Sequence, residues 1–345
     1  MNNSINSQLR AESRFRSWLA PHRIALSILW LVTTTSMIVM LLNGAQGTSF
    51  SAIRQILHAI YVGILLWYLA RTGSSVNQSS EPGVQVPSQT TISSRLAVLG
   101  IALLFVLNIV SDGGRDLLIL LSLIASVVIL FVWRRDIRLG LVIQGMAVAI
   151  FAYLAGSQWV ELGVLSKNWN ITLSAFTVLF YIAGGLLLKR TRLGGIKLLS
   201  GQYWEALKSV FVGSLLFIPL GLINALGDST VDLTAVSEWW MPLWLPWWSG
   251  INEEAWFRLF LVGLTYFLLR PAFRKPPSLA IVAAVLFSGI TFGVGHGRTL
   301  DNFMTTGLLY GVPFAAIFAK RDWEHAVGAH YMVNMIPALV AFLLR

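Results

Sequence analysis

"INEEAWFRLFLVGLTYFLLR", residues 251–270, sets Glu253, Glu254 and Arg258 at the head of an apolar run long enough to cross a bilayer. A hydrocarbon core about 30 Å thick takes roughly 20 helical residues per crossing. Ionised groups at that depth are costly unless they are paired or face water, so such residues are functional candidates by default. Whether lipid or protein surrounds this run depends on the rest of the chain. Of its 345 residues 56% are hydrophobic and 12% charged, with mean hydropathy +0.71, far more apolar than a soluble chain needs to fill a core. The expected fold is an all-α polytopic integral membrane protein.

Eleven runs qualify or nearly qualify as spans, at 24–42, 53–70, 96–111, 117–133, 139–156, 171–188, 206–226, 251–269, 278–295, 302–319 and 326–344, so about 11 transmembrane helices are expected. The net charge of +10 would point to nucleic acid in a soluble domain. With the N-terminus in the cytoplasm and alternating sides, however, 19 of the 25 Lys and Arg fall inside, and Asp228, Asp232 and Glu238 fall outside. That is the positive-inside pattern. It excludes nucleic acid as the reason for the charge and predicts a multi-pass protein of a plasma membrane, the bacterial inner membrane, with a cytoplasmic N-terminus. The absence of cysteine rules out disulfides, thiolate metal sites and a cysteine nucleophile. The basic N-terminal arm runs into a full-length span without a small-residue cleavage site, so it reads as a retained signal anchor.

Composition divides the chain into four parts. Residues 1–70 form the basic arm and a transmembrane hairpin, and 71–95, rich in Ser, Gln, Pro and Gly, form a flexible linker. Residues 96–195 hold additional spans, and 196–345 hold a helical core that contains every strong polar motif. "SEWWMPLWLPWWSG", 237–250, carries five of the 14 tryptophans beside Pro242 and Pro246. It reads as an interfacial aromatic belt or as a broken segment over a site. The pairs Gly289/Gly293 and Gly307/Gly311 have the spacing that lets membrane helices approach closely.

Three late spans carry the chemistry: E-E-x-x-x-R at Glu253, Glu254 and Arg258, F-x-x-x-H at Phe292 and His296, and H-x-x-x-N at His330 and Asn334. Glu254 and Arg258 stand at i and i+4 with the acid first, the favourable order for an ion pair, and read as structural. Glu253 is turned about 100° away by the helical repeat, free to present its carboxylate elsewhere. His330 and Asn334 share a face, and Phe292 lies one turn before His296, where it can shield the ring. A carboxylate beside a histidine in a poorly solvated cavity suits activation of water. A second histidine and an amide would serve a developing oxyanion. His22, His58 and His325 lack polar partners at helical spacing and read as interfacial.

The order of these motifs resembles that of the CPBP family of intramembrane proteases, also called the Abi or CAAX-protease family, over roughly 196–345. The resemblance implies an intramembrane endopeptidase acting on a membrane-associated protein or peptide. Glu253 and His296 would activate the attacking water, His330 and Asn334 would stabilise the oxyanion, and Glu254, Arg258 and Phe292 would support the site. No cofactor is expected. Were the enzyme metal-dependent, zinc on Glu253, His296 and His330 would be the open catalytic arrangement. The family also admits a non-catalytic receptor or immunity protein on the same scaffold. No H-E-x-x-H or G-x-S-G occurs, and "ALGD" at 225–228 misses G-x-G-D. One difficulty is depth. Glu253 and His296 fall near the outer ends of their runs, while His330 stands nine residues after Arg321, about 13 Å from the inner side. Tilted helices, a dipping turn at 320–325 or an earlier start of the eighth helix would reconcile them.

Overall fold

The computed structural model describes residues 48–71, 91–111, 113–226, 238–273, 278–300 and 302–343. The N-terminal arm with His22, the run 24–42, most of the linker, and Asp228 and Asp232 lie outside the described residues. Twelve α-helices are described: α1 (Thr48–Arg71), α2 (Thr91–Val110), α3 (Gly113–Val132), α4 (Leu139–Glu161), α5 (Lys167–Thr191), α6 (Tyr203–Ala225), α7 (Met241–Trp244), α8 (Pro246–Glu253), α9 (Gly263–Leu269), α10 (Ser278–His296), α11 (Val312–Lys320) and α12 (Trp323–Leu343). Two π-helical segments, π1 (Glu254–Val262) and π2 (Asn302–Gly311), join α8 to α9 and lead into α11. No strand occurs among the described residues.

Seven helical stretches there are long and apolar enough to span a membrane: Arg115–Val132, Leu139–Glu161, Lys167–Thr191, Tyr203–Ala225, Ser278–His296, Asn302–Lys320 and Trp323–Leu343. The chain is therefore a polytopic membrane protein, with seven such spans against the expected eleven. Of the other four runs, 24–42 lies outside the described residues, the side chains of α1 and α2 are described chiefly over Ile56–Trp67 and Leu96–Leu107, and 251–269 carries the charges Glu253, Glu254 and Arg258.

The chain separates into two units, Met1–Leu57 and His58–Arg345. The described part of the first is the opening of α1. The second contains both 96–195 and 196–345, and α5 shows why no boundary falls between them. Its apolar window is 61% buried, against 22% for α3, so α5 lies inside the protein while α3 faces outward. The Ser166 hydroxyl caps α5 by accepting from the Trp169 amide at 3.2 Å, and Arg192 in the left-handed conformation (φ 57°) ends it. At that end Lys189 and Arg190 bind Asp136 at 3.0 and 2.5 Å. These hydrogen bonds hold the Asp136 carboxyl below the usual carboxylate range.

Glycines set the closest crossings in the second unit. A Cβ on Gly213 of α6 would strike the His325 carbonyl, and one on Gly328 of α12 would strike that of Val210. The two helices therefore meet backbone to backbone. Ser214 Oγ donates to the Gly328 carbonyl at 3.0 Å and Asn224 to that of Val333 at 3.1 Å. The two G-x-x-x-G pairs face each other: Gly293 abuts Gly307, and Gly289 abuts both Gly311 and Val312, whose amide nitrogen lies 2.6 Å from where a Gly289 Cβ would stand.

Two histidines differ from expectation. His58 is buried, with Nε2 3.3 Å from the Leu309 carbonyl and its ring 4.5 Å from that of Tyr310. His325 is also buried, with Nδ1 2.7 Å from Asp322 Oδ1. Its partner sits at i−3, just before α12, where a reading confined to the apolar run does not reach. Lys197 joins Asp322 at 3.1 Å. Burial works to raise the Asp322 carboxyl, but His325 and Lys197 prevail and hold it at about 2.

Candidate active site

The Trp-rich stretch answers the question of depth. Pro242 and Pro246 occupy the first turns of α7 and α8, positions that suit proline because the missing amide has no helical partner there. The aromatic residues anchor this entry. Trp159 Nε1 donates to the Leu245 carbonyl at 3.3 Å, Trp248 Nε1 donates to Asn170 Oδ1 at 3.1 Å, and the Trp247 ring lies 4.3 Å from Tyr331. The helix thus begins at Pro246 rather than 251, and Glu253 lies seven residues in, about 10 Å along the axis. There the backbone widens into π1, a geometry that is rare and concentrated at functional sites.

Glu253, His296 and His330 converge. Glu253 Oε2 lies 3.9 Å from His296 Nε2 and 3.6 Å from His330 Nε2. Both separations exceed a direct hydrogen bond, and that oxygen has no partner among the described residues. Their exposures differ: the His296 side chain is 42% accessible, Glu253 22% and His330 4%. His296 Nδ1 lies 2.9 Å from the Phe292 carbonyl. A carbonyl only accepts, so Nδ1 carries hydrogen and Nε2 of the neutral ring is left as an acceptor facing Glu253. His330 Nδ1 likewise faces Glu254 Oε1 at 2.8 Å, which orients its Nε2 toward Glu253.

Glu254 and Arg258 form the expected pair, Nε to Oε2 at 3.3 Å, with both side chains fully buried. The pair has a further connection that spacing did not show, because Glu254 spans Arg258 and His330 with its two oxygens. The Arg258 guanidinium is enclosed by aromatic rings, 4.3 Å from the centroid of Phe292 and 5.2 Å from Phe314, and reaches the Gly311 carbonyl at 3.4 Å. Phe292 therefore does more than cover His296, 4.6 Å away, since it also stands 5.7 Å from His330. Phe314, which sequence patterning did not single out, stacks on His330 at 4.8 Å with the planes 15° apart.

Asn334, expected beside His330 as an oxyanion donor, gives its amide to Ser249 Oγ at 2.8 Å. It does not line the cavity onto which Glu253 and His296 open. That cavity, about 160 Å³, is walled by Asn252, Trp256, Phe257 and Thr291, and also by α3 and α5 through Arg115, Thr177 and Phe180. Asn252, Trp256 and Thr177 escaped the motif reading because each is ordinary alone. The one signal was an amide immediately before the paired glutamates. As for a metal, no group of three or more His, Asp or Glu side chains among the described residues has the arrangement to hold an ion.

Residues 235–336 match a family described as type II CAAX prenyl endopeptidase Rce1-like. No curated protein and no solved structure matches the chain. The matched segment contains Glu253, His296, His330 and Asn334; α3 and α5 lie outside it.

Proposed function

From the membership of residues 235–336 in the CPBP, or CAAX-protease, family, we propose that this chain is a glutamate-dependent intramembrane endopeptidase that cleaves a peptide bond in a membrane-associated protein. The observation that carries this reading is the Glu253 Oε2 atom, without a hydrogen-bond partner among the described residues and facing two imidazole Nε2 atoms at 3.9 and 3.6 Å. A water seated among these three atoms loses a proton to Glu253 while His296 Nε2 accepts its second hydrogen and orients it. The hydroxide adds to the scissile carbonyl carbon. The oxyanion that forms takes a hydrogen bond from Nε2 of His330, whose ring the Glu254 carboxylate aims through its contact with Nδ1. The C–N bond then breaks, and the proton held by Glu253 passes to the leaving amine.

Asn334 donates to Ser249 Oγ away from the cavity and is given no part in this step. Arg258 and Phe292 hold Glu254 and the two rings in register. No metal enters this reaction, so cleavage should persist in the presence of a zinc chelator. Placement in a plasma membrane, the bacterial inner one, with a cytoplasmic N-terminus follows from the charge asymmetry, as does the absence of a nucleic-acid partner.

Glu253→Gln keeps the size of the side chain and removes the base. Membrane proteins of cells carrying wild type or Glu253→Gln should differ by an uncut substrate that accumulates only in the variant, with the variant inserted at normal levels. Identical profiles, or cleavage of an added peptide by the purified variant at the wild-type rate, would dismiss the protease reading in favour of a receptor or immunity role.

A further inference from the structure

Besides the Thr291 hydroxyl, two N–H donors in the wall of the cavity are unaccounted for by this chemistry. Asn252 is 5% exposed and Trp256 is half-buried, and neither Asn252 Nδ2 nor Trp256 Nε1 has a hydrogen-bond partner among the described residues. A buried donor left unmatched is costly and calls for an explanation. These two line the same cavity as Glu253 and His296. Both are also held in place by α5. Thr177 Oγ1 lies 3.0 Å from the Leu173 carbonyl but only 2.5 Å from Asn252 Oδ1, and its single hydrogen on the shorter contact commits the oxygen end of the amide and leaves the NH₂ end to the cavity. One turn along α5, Phe180 stacks on the Trp256 indole at 5.8 Å with the planes 9° apart.

Asn252 at the end of α8 and Trp256 in π1 stand about one helical turn apart, roughly 6 Å at Cβ. In an extended peptide, carbonyls pointing to the same side repeat at roughly 7 Å. We propose that Asn252 Nδ2 and Trp256 Nε1 form a two-rung docking site for the main chain of the peptide substrate, each donating to an alternate carbonyl of an extended segment beside the scissile bond. The inference rests on the protease reading above. It also assigns a task to α5, a helix outside the family segment: Thr177 and Phe180 are positioning residues for the two donors. Asn252 is turned about 100° from Glu253 by the helical repeat, so its amide serves a carbonyl flanking the reacting one. It contributes to binding substrate and transition state alike, which raises KM when lost and leaves kcat in place.

The test uses the full chain in detergent with an internally quenched, farnesylated peptide ending in a CaaX sequence. Thr177→Val, which keeps the shape and loses the donated hydrogen bond, and Asn252→Ala should each raise KM roughly 3- to 10-fold, the worth of one hydrogen bond, with kcat within about twofold. Thr177→Ser should restore the wild-type KM. Melting temperatures identify any variant that merely fails to fold, and Trp256→Phe supplies an independent reading of the second rung, with the same rise in KM expected. Unchanged KM in folded Thr177→Val and Trp256→Phe, or a loss confined to kcat, overturns the docking site while wild-type cleavage and its abolition in Glu253→Gln leave the protease reading standing. If wild type and Glu253→Gln alike fail to cleave the peptide, the protease reading itself falls.

Discussion

Replacing Arg258 with methionine removes a charge from an ion pair whose two side chains are fully buried and leaves the shape of the stem nearly intact. At 3.3 Å and an effective dielectric of about 20, the attraction between Arg258 and Glu254 is about 5 kcal/mol, much of it offset by the cost of burying both ions. Removing one partner strands the other. With Glu254 fully buried and left only His330 Nδ1 as a partner, the expected destabilisation is about 3–5 kcal/mol, to which the lost contact with the Phe292 ring adds up to about 2 kcal/mol. Thermal unfolding of wild type, Arg258→Met, Glu254→Gln and the double variant in one detergent gives the coupling energy. The double variant, carrying neither buried ion, should be more stable than the sum of the single losses predicts, by at least 1 kcal/mol. Strict additivity, or an Arg258→Met loss below about 1 kcal/mol, would mean that the pair is hydrated and that the account of its burial is mistaken.

Two further outcomes follow from the packing. The Asp322 carboxyl is held at about 2, against an ordinary 3.8, so its ion pairs stabilise the fold by about 2 kcal/mol at neutral pH. A depressed carboxyl contributes fully above its unfolded value, so the contribution should disappear as pH falls from about 4 to 2. Melting temperature measured across that window should fall in wild type and stay flatter in Asp322→Asn, and parallel curves would count against the pairing. Gly213→Ala places a methyl group into the His325 carbonyl and should cost about 1–3 kcal/mol by forcing α6 from α12, read as a lowered melting temperature in detergent; an unaltered melting temperature would show that the crossing is looser than described.

The charges of the quoted stretch, the apolar runs and the ordered motifs were legible because each depends on a local quantity: apolar run length or helical spacing. The Glu254–Arg258 pair belongs to this class, since residues four apart on one helix meet whatever surrounds them. So do the two G-x-x-x-G pairs, whose small residues mark a close crossing before the partner helix is known. Other features could not be read this way. The entry of α8 at Pro246 depends on tryptophans packing against α4, α5 and α12. Asp322 lies just outside the run that contains His325, and Asn334 finds Ser249 instead of the cavity.

The sequence by itself determined that this chain lives in a membrane and that its acids, imidazoles and amide are gathered in the C-terminal spans, since hydropathy and period are properties of neighbours along the chain. Only the tertiary structure decided that Glu253 stands between two imidazoles, that Glu254 joins Arg258 to His330, and that α5 fixes the amide of Asn252. Those contacts join residues dozens of positions apart, and their distances depend on how closely glycine-lined helices cross, a quantity that no one-dimensional pattern contains.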